Sequence, residues 1–189
     1  MKIQHNLADV QGFELIPKEW YPAHPVEATY GDSKASIQRG SPEKMFTVTW
    51  EIDEGDWAGR KIQFDTISLS TKAAGFLDEV LDACRVERQC LSCGNTFTEG
   101  RKVSKETSKI NKAGVACPNC SGQGQTTWNA GPVDDVGVVR QDADGKTGIL
   151  NWRCMILIIA EKSNKPGDVD SDGQPKMYNR VEHYAPIRR

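Results

Sequence analysis

Residues 45–69 read MFTVTWEIDEGDWAGRKIQFDTISL, and the pattern of this stretch decides the fold. From Met45 to Ile52, Phe46, Val48, Trp50 and Ile52 share one parity while Thr47, Thr49 and Glu51 take the other, the period-two alternation of a half-buried strand. The turn DEGDWAGR follows. A further strand then runs from Lys61 to Leu69, with Ile62 and Phe64 on one parity but Ile67 and Leu69 on the other. A parity change inside a strand predicts a bulge or bend, here near Asp65 and Thr66.

Upstream, Pro17, Pro22 and Pro25 forbid a helix between Leu15 and Tyr30. Val26, Ala28 and Tyr30 alternate, so the second half of that segment is read as the first strand. Residues 31–44, GDSKASIQRGSPEK, are predicted to be a long polar loop carrying Lys34, Arg39 and Lys44. Downstream, Ser70 or Thr71 is placed to cap a helix whose Leu77, Val80, Leu81 and Cys84 recur at i, i+3, i+4 and i+7. NWRCMILIIAEK, 151–162, is apolar on both parities and reads as a central strand. After the polar loop SNKPGDVDSDGQPK, a last strand from Met177 to Tyr184 puts Tyr178, Arg180, Glu182 and Tyr184 on one face.

The expected order is three strands, one helix, an inserted module and two strands. That is the element order of a five-stranded OB-fold barrel with its helix between the third and fourth strands. The expected boundaries are 1–86 for the first part of the barrel, 87–126 for the insertion, and 127–189 for a connecting loop and the last two strands. At 189 residues the chain has room for one such domain with a small insertion, not for two large ones.

The insertion is defined by CLSCG and CPNCSG, whose cysteine pairs Cys90, Cys93 and Cys117, Cys120 are separated by 23 residues. A tight turn within each pair lets two thiolates reach one ion, and two such knuckles complete a tetrahedron. The pattern predicts a zinc ribbon with one structural Zn2+, its hairpin extended by the tip RKVSKETSKINK. Four protein ligands leave no open position for catalysis. Iron in the same thiolate set and a redox dithiol are the competing explanations. The other two cysteines, Cys84 and Cys154, fall on apolar positions and are assigned to the core.

Charge separates along the chain. The net charge is −2, yet between Arg85 and Lys112 seven basic residues face three acids. The acids gather in residues 134–144 and 168–172, which suggests a basic working surface and acidic loops directed elsewhere. The three histidines form no unit with a nucleophile, and there is neither a phosphate-binding GxxxxGK loop nor a dinucleotide fingerprint, so no enzyme is expected. DVDSDG resembles the first half of a calcium loop, but Asn179 stands at the twelfth position where a bidentate Glu is needed. No apolar run approaches the roughly 20 residues of a membrane helix and the first ten residues lack a signal-peptide core, so a cytoplasmic protein without membrane contact is expected.

The segment from Leu15 to Leu81, with WEIDEGDWAGRKI at its centre, and the closing YNRVEHYAP together resemble a bacteriophage family first catalogued as a domain of unknown function. That family is regarded as OB-fold single-stranded-DNA-binding protein of phage replication and recombination modules. The resemblance implies a sequence-tolerant single-strand binder acting with replication or recombination proteins, in the host cytoplasm, with self-association a further option. The zinc module is a departure from the family pattern.

Single-strand binders need exposed rings for bases and cations for phosphates. The candidates are Tyr178, Arg180 and Tyr184 on the last strand, Lys34, Arg39 and Lys44 in the first polar loop, and Trp57, Arg60 and Trp152 near strand ends. Arg101, Lys102, Lys105, Lys109 and Lys112 on the ribbon complete the set. The alternative is an adaptor that binds a replication or transcription protein without touching nucleic acid, which the net charge of −2 favours.

Overall fold

A computed structural model describes residues 14–70, 73–104, 114–122 and 126–187. Alternating apolar residues build a mainly β architecture of antiparallel sheets. β1 (Trp20–Asp32) is followed by a short helix α1 (Lys34–Gln38), then β2 (Lys44–Ile52), β3 (Lys61–Ser68) and helix α2 (Ala74–Ala83). The cysteine module contributes β4 (Arg88–Cys90), β5 (Thr96–Phe97), β6 (Arg101–Val103), β7 (Gly114–Ala116) and β8 (Thr126–Thr127). The chain then returns to the large sheet through β9 (Cys154–Lys162) and β10 (Met177–Ala185).

The five long strands form one sheet in the order β10-β9-β1-β2-β3. Among the described residues the sheet is open: β3 and β10 are its two edges and share no ladder, so the expected closed barrel is not formed. The strand total also exceeds five, because the cysteine module adds a three-stranded and a two-stranded sheet of its own. Trp50, Ile52, Ile62, Ile67, Ile156 and Ile158 bury their side chains on the inner face, under Val80 and Leu81 of α2.

Two local expectations are corrected. Residues 31–44 are not all loop: Ser33 caps α1 by accepting from the Ser36 N–H, a local side-chain bond that favours a helical turn. At α2 the cap is Ala73, with no side-chain bond, so Ser70 does not serve as predicted; Thr71 lies outside the described residues.

Bulges set which side chains face in. The β2–β3 register slips between Val48 and Trp50 by one extra residue on β3. Phe64 there adopts φ 63° and is 78% exposed, while Asp65 turns inward. On β10 the extra residue falls between Val181 and His183, which moves Tyr184 from the outer face of Tyr178 and Arg180 onto the core side with Val181. The two edges meet there. Asp65 accepts from the Tyr184 hydroxyl and, at 2.7 Å, from Trp50 Nε1. Burial pushes the Asp65 carboxyl up to about 6, against the lowering effect of those two donors and of the Arg180 charge.

β1 pairs with β9 only through Trp20–Ala23. Beyond that point residues 137–139 take over the free edge: the Tyr30 N–H donates to Gly137 O at 2.7 Å and the Val139 N–H to Ala28 O at 2.9 Å. Gly137 has φ 88°, and a Cβ there would lie 2.3 Å from Tyr30 O, so only glycine fits.

Candidate metal centre and nucleic-acid surface

The two cysteine knuckles are built alike. In the first, the Gly94 N–H donates to Cys90 O at 2.8 Å; in the second, the Ser121 N–H donates to Cys117 O at 2.9 Å. Both turns require a left-handed residue after the second cysteine, Gly94 at φ 74° and Ser121 at φ 55°. The four sulfurs all lie within 4.8 Å of one another. Cys90 and Cys120 are 3.8 Å apart, and Cys93 and Cys117 3.7 Å. Four thiolates around one ion at a metal–sulfur distance of about 2.3 Å stand roughly 3.8 Å apart, whereas a disulfide needs about 2.05 Å. The set therefore fits a metal ion and holds no disulfide.

The electrostatics agree. Backbone N–H groups of Cys93 and Ser92 bring Cys90 down to about 7, and those of Cys120 and Asn119 lower Cys117 despite burial. Cys120 has the Gly122 N–H in its favour, but the sulfurs of Cys93, Cys90 and Cys117 outweigh it and push the thiol up to about 11. A metal ligand must be a thiolate, so the lowering of Cys90 and Cys117 favours ligation, while Cys120 would give up its proton to the ion itself.

The module is tied to the large sheet through α2. Asp78 and Asp82, one helical turn apart, both engage the buried Arg88, with Asp78 Oδ1 at 3.5 Å from its Nη1. Asp78 also accepts from the Val115 N–H at 3.2 Å, and Asp82 from the Gly100 N–H at 3.4 Å. Burial raises Asp78 to about 6, with Arg88 pulling the other way. The Arg88 guanidinium covers the Phe97 ring, 4.9 Å from its centroid.

The predicted nucleic-acid contacts divide. Tyr184 is 5% exposed, packed on Trp50 and Phe76, and spends its hydroxyl on Asp65, so it is withdrawn from the surface; the β10 bulge is the cause. Trp152 is 4% exposed: a 3₁₀ turn, Ile149–Asn151, folds it inward against Trp128, and it too is withdrawn. Tyr178 stays exposed, its hydroxyl donating to Asp168 at 2.8 Å, and Arg180 is half exposed in an ion pair with Glu161. Arg39 pairs with Glu43, and Lys44 pairs with Asp32 while covering the Tyr30 ring.

Trp57 is half-buried beneath the Arg60 guanidinium, which also donates to Glu14 O at 3.1 Å. Lys34, Arg101 and Lys102 are exposed and have no acidic partner among the described residues. Lys105, Lys109 and Lys112 lie outside the described residues.

Phe64 was missed as a surface ring because plain alternation places it with Ile62; the parity change was the signal that could have found it. Trp20, 44% exposed, joins it and Tyr178 as an outward ring of the large sheet. No helix among the described residues is long and apolar enough to cross a membrane. Compared with protein-family models, curated proteins and solved structures, the chain matches none.

Proposed function

We propose that the protein binds single-stranded DNA without strong sequence preference, on an OB-type sheet carrying a zinc ribbon. The strand order β10-β9-β1-β2-β3 is that of an OB barrel opened between its third and fifth strands, which supports the fold reading. Four cysteine sulfurs, with no oxygen or nitrogen donor among them, favour zinc held for structure. The phage replication or recombination setting rests on the family resemblance alone.

The observation that carries the binding role is Phe64. An apolar ring 78% exposed on a left-handed, non-glycine backbone is unfavourable twice over, in hydration and in strain. Base stacking is a use that repays both. Its neighbour Asp65 feels the charge of Arg180, which places a cation at the same seam, and Tyr178 lies two residues along β10.

The test is fluorescence anisotropy of labelled single-stranded and duplex oligonucleotides over a salt series. Single-strand preference with affinity falling steeply as salt rises is expected. Absence of binding at low salt would refute the role. It would favour the adaptor reading, which the pairing of Arg39, Lys44 and Arg180 with acids supports.

A further inference from the structure

Residues 14–19, ELIPKE, precede β1, and Pro17 among them has no N–H to give a ladder. At the β1 end the Ile158 N–H of β9 donates to Glu19 O at 3.1 Å. Three residues earlier Ile16 bonds to β10, and at the far end the Arg60 guanidinium, just ahead of β3, donates to Glu14 O at 3.1 Å. The segment is therefore a strap across the opening between the two sheet edges. The Ile16 side chain, 2% exposed, belongs to the core. The Tyr21 hydroxyl donates to Pro17 O at 3.2 Å, and Lys18 pairs with Glu182 at 3.3 Å.

Asn179 is the informative residue. Its side-chain amide accepts from the Ile16 N–H at 3.0 Å and donates to Ile16 O at 3.1 Å. That reciprocal pair is the bonding that an antiparallel neighbour offers one residue of a ladder. Here a side chain takes the place of a strand, on the part of β10 that pairs with β9 alone. Successive strand residues point to opposite faces, so drawing Asn179 inward turns Tyr178 and Arg180 outward. Those two are the ring and the cation that share the seam with Phe64.

We propose that Asn179 is a positioning residue for strand binding: its clamp on Ile16 holds the strap beneath β10 and fixes the Tyr178 ring and the Arg180 guanidinium at the seam. Glu161 of β9 pairs with Arg180 from the side, and the clamp supplies the support from below. Stacking a base on Tyr178 and holding a phosphate at Arg180 cost less when the strand that carries both is already ordered. The role rests on the single-strand reading above and makes the contact surface depend on a segment more than 160 residues away in sequence.

The experiment uses metal-loaded, full-length, ¹⁵N-labelled protein and compares wild type with Asn179→Ser, whose short hydroxyl cannot span to Ile16, and Asn179→Gln, which keeps the amide. Hydrogen exchange of the Ile16 amide reports the clamp, the remaining amide spectrum reports the fold, and anisotropy with a single-stranded oligonucleotide over a salt series reports binding. In Asn179→Ser the Ile16 amide is expected to exchange at least ten times faster while the rest of the spectrum stays dispersed. Strand affinity should fall by about tenfold, the value of a base stack. The slope of log affinity against log salt should shrink by about 0.7, one phosphate contact, which a merely structural role would leave alone. Asn179→Gln should recover much of both.

Fast Ile16 exchange with affinity and salt slope unchanged, or with tighter binding, would overturn the positioning role and leave the coating role intact. An Ile16 amide unprotected in wild type would overturn it as well, since the clamp would not be closed. Wild-type protein that binds no strand at low salt would refute the coating role and this role with it.

Discussion

Replacing Asp65 with asparagine should make the protein more stable at neutral pH and remove a defined part of its pH dependence. Burial raises the Asp65 carboxyl from 3.8 to about 6 in the folded chain. The folded state therefore holds this proton more tightly than the unfolded state does. The stabilisation of the protonated form is fully present below pH 3.8 and is lost as pH rises through 6. A displacement of that size corresponds to about 3 kcal/mol, and the group is too buried for solvent to screen it. The asparagine side chain mimics the neutral acid, since its one carbonyl oxygen can accept from both Trp50 Nε1 and the Tyr184 hydroxyl, which share Asp65 Oδ2. The assay is urea unfolding of wild type and Asp65→Asn between pH 4 and 7. Only the difference between the two is used, so titration of Asp78 and of the thiolates cancels. That difference should be near zero at pH 4 and rise to as much as about 3 kcal/mol in favour of the variant at pH 7. Asp65→Ala, which strands two buried donors, should lose about 2–4 kcal/mol instead. A pH-independent difference, or an asparagine variant weaker than wild type at pH 7, would refute the reasoning.

Phe64→Ala should weaken single-strand binding by about tenfold or more, the value of one base stack, while leaving the unfolding midpoint unchanged or higher because the lost ring is exposed; unchanged affinity would remove Phe64 from the binding surface. Elemental analysis should find one zinc per chain, and Cys93→Ser should lower that content and collapse the amide dispersion of the strands β4 to β8 while the β1–β3 and β9–β10 signals persist. Loss of every signal together would mean that the large sheet depends on the metal. Gly137→Ala, with a Cβ 2.3 Å from Tyr30 O, should destabilise by about 3 kcal/mol in the same urea assay.

The element order and the cysteine set were legible because each rests on local pattern: alternation for β2, an i, i+3, i+4, i+7 stripe for α2, and knuckle spacing for the thiolates. What stayed hidden depends on partners distant in sequence. Nothing near Trp152 announces that a 3₁₀ turn will fold it onto Trp128. Residues 137–139, Gly-Val-Val inside an acid-rich stretch, complete the edge that β1 leaves free beyond Ala23. The ion pairs that occupy Arg39, Lys44 and Arg180 are likewise absent from any count of basic residues.

The two bulges show why alternation misplaced one ring on each sheet edge. A strand with an extra residue changes faces, so Phe64 leaves the interior and Tyr184 enters it. Neither change stands alone, because the turn that exposes Phe64 also aims Asp65 inward, and a buried carboxylate needs donors. The β10 bulge delivers one, the Tyr184 hydroxyl, across an edge where the strands share no ladder. Tyr178 and Arg180 precede the extra residue and keep the outer face, where Arg180 is close enough to influence Asp65. A single seam thus sets the inward polar cluster and the outward ring and cation together. Mutations on its buried side are expected to change strand binding through Phe64 as well as stability.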